Sequence, residues 1–429
     1  MKTVSRVPLS WLVVLATMFL ANCGGSYTCN VTFGASTCTP SGGGPGSSGG
    51  GTGGGGGGGS STTAFVFAVD EAGTIDGYTL NTGLGTFEAT SGYTAPTVPS
   101  SHGGVGMTVA QGQFLYTGFG AVEQLYGWTI SSTGSLTAIT GSPYSAPFLD
   151  RYNGGVGQDN IITNPAGTLL FISDALDSLI YVYQIGSGGV LTAAPNSPFS
   201  VPFEPMNLAT DGLGKYLYAI DGNFTTHQGS EIAAFVIGTG TNLGVLTAVP
   251  GSPFAFPMWQ VQGDPTGMFL IGTTGSSAYY GVSDDDHLYV LTIEQSGSSA
   301  GAITQSTAYS TVYSPFSIAV QSDSGGNLVY SFGFNDDATA FNPTEGYSIS
   351  STGTLSVDSN SPFVNVGAGT WGQFDEKGGL LFDYGSYTQG STTTTQIVPL
   401  SVGTGGNLTQ PIATLTIATP GFWVVTDAP

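Results

Sequence analysis

Seven times between residues 64 and 429 the chain returns to the same two short patterns, and a repeat of this period and number leaves few architectures open. The first is an apolar triplet of strand-forming residues: Phe65-Val66-Phe67, Phe114-Leu115-Tyr116, Leu169-Leu170-Phe171, Tyr216-Leu217-Tyr218, Met268-Phe269-Leu270, Leu328-Val329-Tyr330 and Leu380-Leu381-Phe382. Successive triplets start between 47 (Leu169 to Tyr216) and 60 (Met268 to Leu328) residues apart. The second pattern is Gly-x-Leu-Thr or a near relative, around Phe87, Leu136, Leu191, Leu246, Ile303, Leu355 and Leu408. A strand-like segment such as 125–130 or 180–185 separates the two, and another such as 206–210 precedes each triplet from the second onward. Turns with fixed or positive φ join that segment to the triplet, as in Asn164-Pro165-Ala166-Gly167, Asp211-Gly212-Leu213-Gly214 and Asp264-Pro265-Thr266-Gly267. Four strands per unit and seven units predict an all-β fold, a seven-bladed β-propeller of four-stranded antiparallel blades over 64–429.

The chain ends give a separate line of argument. The first unit lacks a strand ahead of Phe65, and the last is followed by a surplus strand, Phe422-Trp423-Val424-Val425-Thr426-Asp427. Pairing of the two completes the first blade from both termini and leaves fewer open strand edges.

Composition bounds the chemistry. Gly supplies 69 of 429 residues and charged residues only 7%, a mix that favours strands and tight turns over helices. Five basic residues stand against 27 acidic ones, for a net charge of −22. Such a chain offers a polyanion too few cations, so nucleic acid and anionic membrane surfaces are excluded as partners. Lys2 and Arg6 precede an apolar run from Trp11 to Leu20, too short to span a bilayer and placed as in an export signal. Leu20-Ala21-Asn22-Cys23 resembles a bacterial lipobox, which implies cleavage after residue 22, lipidation of Cys23, and a place in the cell envelope or outer membrane. Cys29 and Cys38, the other two cysteines, can pair in an oxidising compartment. Residues 41–60 hold 14 Gly, so 23–63 reads as a tether that carries the propeller off a surface. The membrane is expected to be met through the lipid alone, by a monomer.

The units also share Ser-Pro-aromatic, at Ser142-Pro143-Tyr144, Ser197-Pro198-Phe199, Ser252-Pro253-Phe254 and Ser361-Pro362-Phe363, while Ser314-Pro315-Phe316 sits nearer the next strand. The Pro is expected to end the outer strand, and the aromatic to pack between blades. Together, Gly-Ser-Leu-Thr…Gly-Ser-Pro-Tyr (134–144), Gly-Val-Leu-Thr…Asn-Ser-Pro-Phe (189–199) and Gly-Val-Leu-Thr…Gly-Ser-Pro-Phe (244–254) resemble the repeats of the lactonase-like, YVTN-type seven-bladed propellers. The resemblance covers 64–429. It implies a site at the central channel, and in some members hydrolysis of a lactone by His, Glu and Arg. The Pro-His-x-His and Arg-His sequences that mark such sites do not occur in this chain.

Loops from an outer strand to the next inner strand gather at one mouth of the channel, where propellers bind ligands. His102, Arg151, Tyr152, Glu204 and Tyr313 fall there, and the inner strands add Trp259, Gln260, Trp371 and Trp423. One reading makes His102 and Glu204 an acid–base pair with Arg151 as anion clamp. The other makes Tyr152, Trp259, Gln260 and Trp371 a binding face for a small molecule, glycan or peptide without chemistry. The second, a binding or scaffolding module, is the main expectation; a divergent lactonase is the alternative. No cofactor is expected. No metal is expected either: Asp284-Asp285-Asp286 and Asp336-Asp337 lack the alternating spacing of a calcium loop, and His227 and His287 are placed in exposed inserted loops.

Overall fold

A strand buried on both faces has to be apolar without interruption, and the triplets are the second strands of blades wedged between two neighbours. The computed structural model describes residues 27–32, 35–40, 63–70, 73–82, 85–90, 104–119, 123–146, 160–222, 231–274, 286–321, 327–333, 343–363, 369–375, 378–389, 392–409, 415–417, 420–427 and 429. Two units are present. In residues 1–59 the described part is a hairpin, Tyr27–Thr32 against Ala35–Pro40, within the stretch read as a tether. Its register sets Cys29 directly opposite Cys38. The Gly-rich stretch 41–60 and the export segment 1–22 lie outside the described residues.

The second unit, residues 60–429, holds seven antiparallel sheets. Blade one runs Pro420–Asp427, Thr63–Asp70, Ile75–Asn81, Thr86–Ala89 from inside out. The C-terminal strand therefore closes the first blade, with Val66 opposite Val425 and Phe65 opposite Thr426. Blades two to seven begin with the inner strands Gly104–Ala110, Ile161–Thr163, Pro205–Thr210, Gln260–Gly263, Pro315–Val320 and Trp371–Phe374. Each inner strand neighbours the next in a complete circle. In blade five the register corrects the triplet by one residue. Leu270 faces Gly263 as Leu217 faces Thr210, so Phe269-Leu270-Ile271 fills the place expected for 268–270. His287, expected in an exposed loop, instead opens the strand His287–Ile293 and is half-buried.

Seven apolar clusters occupy the described core, one between each pair of adjacent blades. Alternation along the second strand divides its side chains between them. Phe65, Phe67 and Val69 pack toward blade two, and Ala64, Val66 and Ala68 toward blade seven. Full burial of each Phe or Val in such a cluster contributes roughly 1.5–3 kcal/mol.

The two sequence patterns meet at these interfaces. Gly189, of the Gly-x-Leu-Thr turn of blade three, has φ 77°, and a Cβ there would lie 2.6 Å from the ring of Phe114, the first triplet residue of blade two. Gly134, Gly244, Gly301 and Gly353 likewise face Phe65, Leu169, Tyr216 and Phe269 of the preceding blade. Three triplet tyrosines tie the same turns down: Tyr116 Oη donates to Gly189 O (2.6 Å), Tyr218 Oη to Gly301 O (3.2 Å) and Tyr330 Oη to Gly406 O (2.6 Å). Burial pushes all three hydroxyls well above the usual tyrosine value, which keeps them protonated donors.

The Ser-Pro motif works differently from the expected strand stop. The outer strand pauses at a cis Ser–Pro bond in blades two, three, four and six and then resumes pairing, as in Tyr144 opposite Leu125 and Phe199 opposite Ile180. At the pause the serine Oγ takes the third-strand N–H that the outer backbone has left. Gly127 N donates to Ser142 Oγ (3.0 Å), Val182 N to Ser197 Oγ (2.9 Å), Ala234 N to Ser252 Oγ (2.9 Å) and Gly346 N to Ser361 Oγ (3.0 Å). The aromatic that follows packs between blades: Tyr144 at two/three, Phe199 at three/four, Phe254 at four/five and Phe363 at six/seven.

Blade six breaks one rule of this packing. Ile139, Ala194 and Val249 bond the third strand just ahead of the Ser-Pro pause, and Asp358 holds that place in blade six. Asp358 is buried, its Oδ2 has no hydrogen-bond partner, and burial pushes its carboxyl to about 6. A carboxylate raised in the folded state binds its proton more tightly there than in the unfolded chain. Stability is then greatest below the ordinary carboxylate range and falls as pH rises through about 6.

Two substitutions test this packing. Gly189→Ala combines left-handed strain with overpacking against Phe114, and chemical denaturation should show a loss of roughly 2–5 kcal/mol; an unchanged midpoint contradicts the contact. Asp358→Asn should raise stability at neutral pH by about 1–2 kcal/mol, after discounting for solvent screening. It should also flatten the fall in melting temperature across the acid range up to pH about 6; a retained slope contradicts the assignment.

Candidate functional site

Inner strands of adjacent blades run side by side without forming one sheet, so their edges need partners from side chains. At the fourth place before the turn, polar residues reach across to the next blade. Asn207 Nδ2 donates to Trp259 O (2.8 Å), Gln260 Oε1 accepts from Ile318 N (3.0 Å) and Ser317 Oγ donates to Thr370 O (2.9 Å). Gln262 adds a second clamp, with Oε1 accepting from Val320 N and Nε2 donating to Ile318 O, both 3.0 Å. Gln373 Oε1 accepts from Val425 N (3.4 Å) and links blade seven to the closing strand.

These strands enclose a cavity of about 290 Å³ to which all seven contribute, from Thr108 and Ile161 through Thr210, Gln262 and Val320 to Trp371, Gln373 and Val424. Its wall combines aliphatic side chains, hydroxyls, amides and the half-buried Trp371. Asp211 is the one ionisable group among the described lining residues. Its carboxylate is committed to its own turn: Oδ1 accepts from Lys215 N and Tyr216 N (2.7 Å each) and Oδ2 from Leu213 N (3.3 Å). Burial pushes this carboxyl up, while the three N–H donors pull it back toward the ionised form.

An aromatic arc runs along blades five to seven. Trp259 and Phe316 rings lie 6.0 Å apart, Phe316 and Trp371 5.9 Å in an edge contact. Tyr384 stacks on Trp423 at 5.8 Å between blades seven and one. Trp371 presents part of its surface to the cavity, whereas Trp259 is 2% exposed.

Among the residues singled out by sequence, His102, Arg151 and Tyr152 lie outside the described residues. Glu204 is exposed in the loop entering blade four, where its carbonyl accepts from Gly222 N (3.1 Å). Trp259 and Gln260 take part in blade-to-blade contacts, and Trp371 lines the cavity. Tyr313 is half-buried in a segment pinned by Glu345, a residue that sequence reading passed over. Glu345 Oε1 accepts from Val312 N (2.7 Å) and Oε2 from Tyr347 Oη (2.6 Å), and burial raises its carboxyl above the usual range. Gln262 and Gln373 were also passed over, although the alternation Gln260-Val261-Gln262 in an inner strand is a visible signal. Among the described residues no group of three or more His, Cys, Asp or Glu could hold a metal ion.

A scan against protein-family models and a search of curated proteins return no match. Solved structures do match. A periplasmic gluconolactonase of Pseudomonas aeruginosa superposes with a TM-score of 0.58 at 13% identity, covering 86% of this chain and 99% of that one. A putative 6-phosphogluconolactonase of Bacteroides fragilis gives 0.56 at 15% identity, covering 85% and 98%. A putative 6-phosphogluconolactonase of Bacteroides uniformis gives 0.54 at 14% identity, covering 85% and 100%. The chain thus has the seven-bladed β-propeller fold that these lactonase-like proteins share.

Proposed function

We propose that this protein is an envelope-anchored binding module whose central channel takes a small, uncharged, hydroxyl-bearing ligand such as a sugar. The observation that carries the reading is the cavity wall. Thr108, Thr210 and Gln373 offer hydroxyl and amide groups, Trp371 offers an aromatic face, and Asp211, the one carboxylate among the described lining residues, is occupied by its turn. A volume of about 290 Å³ suits a ligand of monosaccharide size. Aromatic faces and amides select neutral hydroxylated rings, while a phosphorylated lactone would call for cations. The second reading, a divergent lactonase, draws support from the fold shared with the gluconolactonases.

Calorimetry with a panel of neutral mono- and disaccharides, run beside hydrolysis of gluconolactone, separates the two. Binding of at least one sugar, weakened about tenfold or more by Trp371→Ala, with lactone hydrolysis no faster than in buffer, is expected. Hydrolysis that is lost in Arg151→Ala or Glu204→Gln supports the lactonase, and a panel without binding removes the sugar reading.

The anchoring part of the proposal rests on Leu20-Ala21-Asn22-Cys23 and on the facing positions of Cys29 and Cys38. Residues directly opposed across an antiparallel pair come within disulfide reach. The intact mass of the membrane-extracted mature chain should show an N-terminal acylated Cys23, and a gain of two hydrogens on reduction. A chain beginning elsewhere, or one carrying free thiols, contradicts it.

A further inference from the structure

Blade five ends unlike its neighbours. Its outer strand, Ile303–Ser310, is eight residues long and pairs with His287–Ile293 at seven of them. The outer strands of blades two, three, four and six run three residues before the Ser-Pro pause. In blade five the Ser-Pro is displaced to Ser314-Pro315, past the end of the strand. What remains is Ile-Thr-Gln-Ser-Thr-Ala-Tyr-Ser, with no charge, no Pro and no Gly, and exposed at 304–308 and 310. Sheets usually blunt an edge by shortness, charge, Pro or a bulge. This edge has one irregularity, at its Ile303 end. It is also held in place, because Tyr309 Oη donates to Gly353 O of blade six (3.1 Å) and Thr311 N to Asp286 O (2.9 Å).

We infer that this edge is a docking site for an extended peptide strand with basic residues at both ends, which adds to blade five as a fifth strand. Among the described residues no further strand pairs with it, and such an edge offers backbone N–H and C=O groups in the manner of β-augmentation. Charge selects the occupant. Asp286 and Glu294 bound the third strand behind this edge, Asp286 at its Ser310 end and Glu294 at its Ile303 end, in a chain of net charge −22. Two copies of this chain paired antiparallel about a twofold axis would bring the Asp286 end of one against the Glu294 end of the other. Like charges would then face each other at both ends. One strand pair also buries far less than the roughly 1,000 Å² expected of a stable interface between folded proteins. A strand ending in Lys or Arg instead carries side chains that can extend back toward these carboxylates across the intervening strand, about 10 Å away. This site is independent of the channel.

The test uses the full chain and fluorescence anisotropy with a labelled peptide of alternating Thr and Val, about eight residues long, with paired lysines at each end. Controls are the same peptide with glutamates at the ends and one N-methylated on alternate backbone nitrogens. Thr307→Pro and Ala308→Pro bracket the edge, since one of two adjacent N–H groups faces outward, and Thr307→Lys adds a repelling charge without removing a donor. The lysine-ended peptide should bind, more weakly at high salt, and N-methylation should abolish binding. Affinity should fall at least about tenfold in Thr307→Lys and in whichever Pro variant keeps the parent melting temperature. Absent binding, equal binding of the glutamate-ended or N-methylated peptide, or no effect of Thr307→Lys overturns the proposal. So does a concentration-dependent dimer that Thr307→Lys abolishes.

Discussion

The ladder between Pro420–Asp427 and Thr63–Asp70 is the constraint on which the rest of this molecule depends. It joins residues far apart in sequence, and it turns a row of blades into a circle in which every blade has two neighbours. Only in a closed circle does each second strand become buried on both faces. That is why the triplets are continuously apolar, and why the described clusters fall one to an interface. An open row would expose the faces of its terminal blades, and Ala64, Val66, Trp423 and Val425 would lose the cover of Leu380 and Phe382.

Closure also shapes the channel. Inner strands converge on the axis but do not pair with one another, so Asn207, Gln260, Gln262, Ser317 and Gln373 spend their amides and hydroxyls on the neighbouring backbone. The polarity of the channel wall is therefore first a structural requirement. Gln373 spends only its Oε1 in this way, so the Thr108 and Thr210 hydroxyls, the Gln373 amide nitrogen and the face of Trp371 are the groups available to a ligand.

Much of the fold was legible because two local signals recur in fixed order. Their contact was not legible, since nothing in a linear reading places Gly189 of one unit on Phe114 of the unit before it. The blade-five triplet was misread by one residue because Met268, Phe269 and Leu270 are all apolar, and only the pairing of Leu270 with Gly263 sets the phase. The Ser-Pro motif was read as a strand stop because Pro lacks a donor, whereas the serine hydroxyl bridges the gap and pairing continues. The site was less legible still. An inner-strand aromatic can turn toward the axis or into a blade interface, and the sequence treats Trp371 and Trp259 alike although their burial differs.

Hydrogen exchange followed by mass spectrometry tests the closure most directly. Amides of residues 423–427 and 64–69 should exchange together, as slowly as the interior strand residues 217–219. Exchange of 423–427 at the rate of an unstructured peptide, while 217–219 stay protected, would show an open ring and contradict the account.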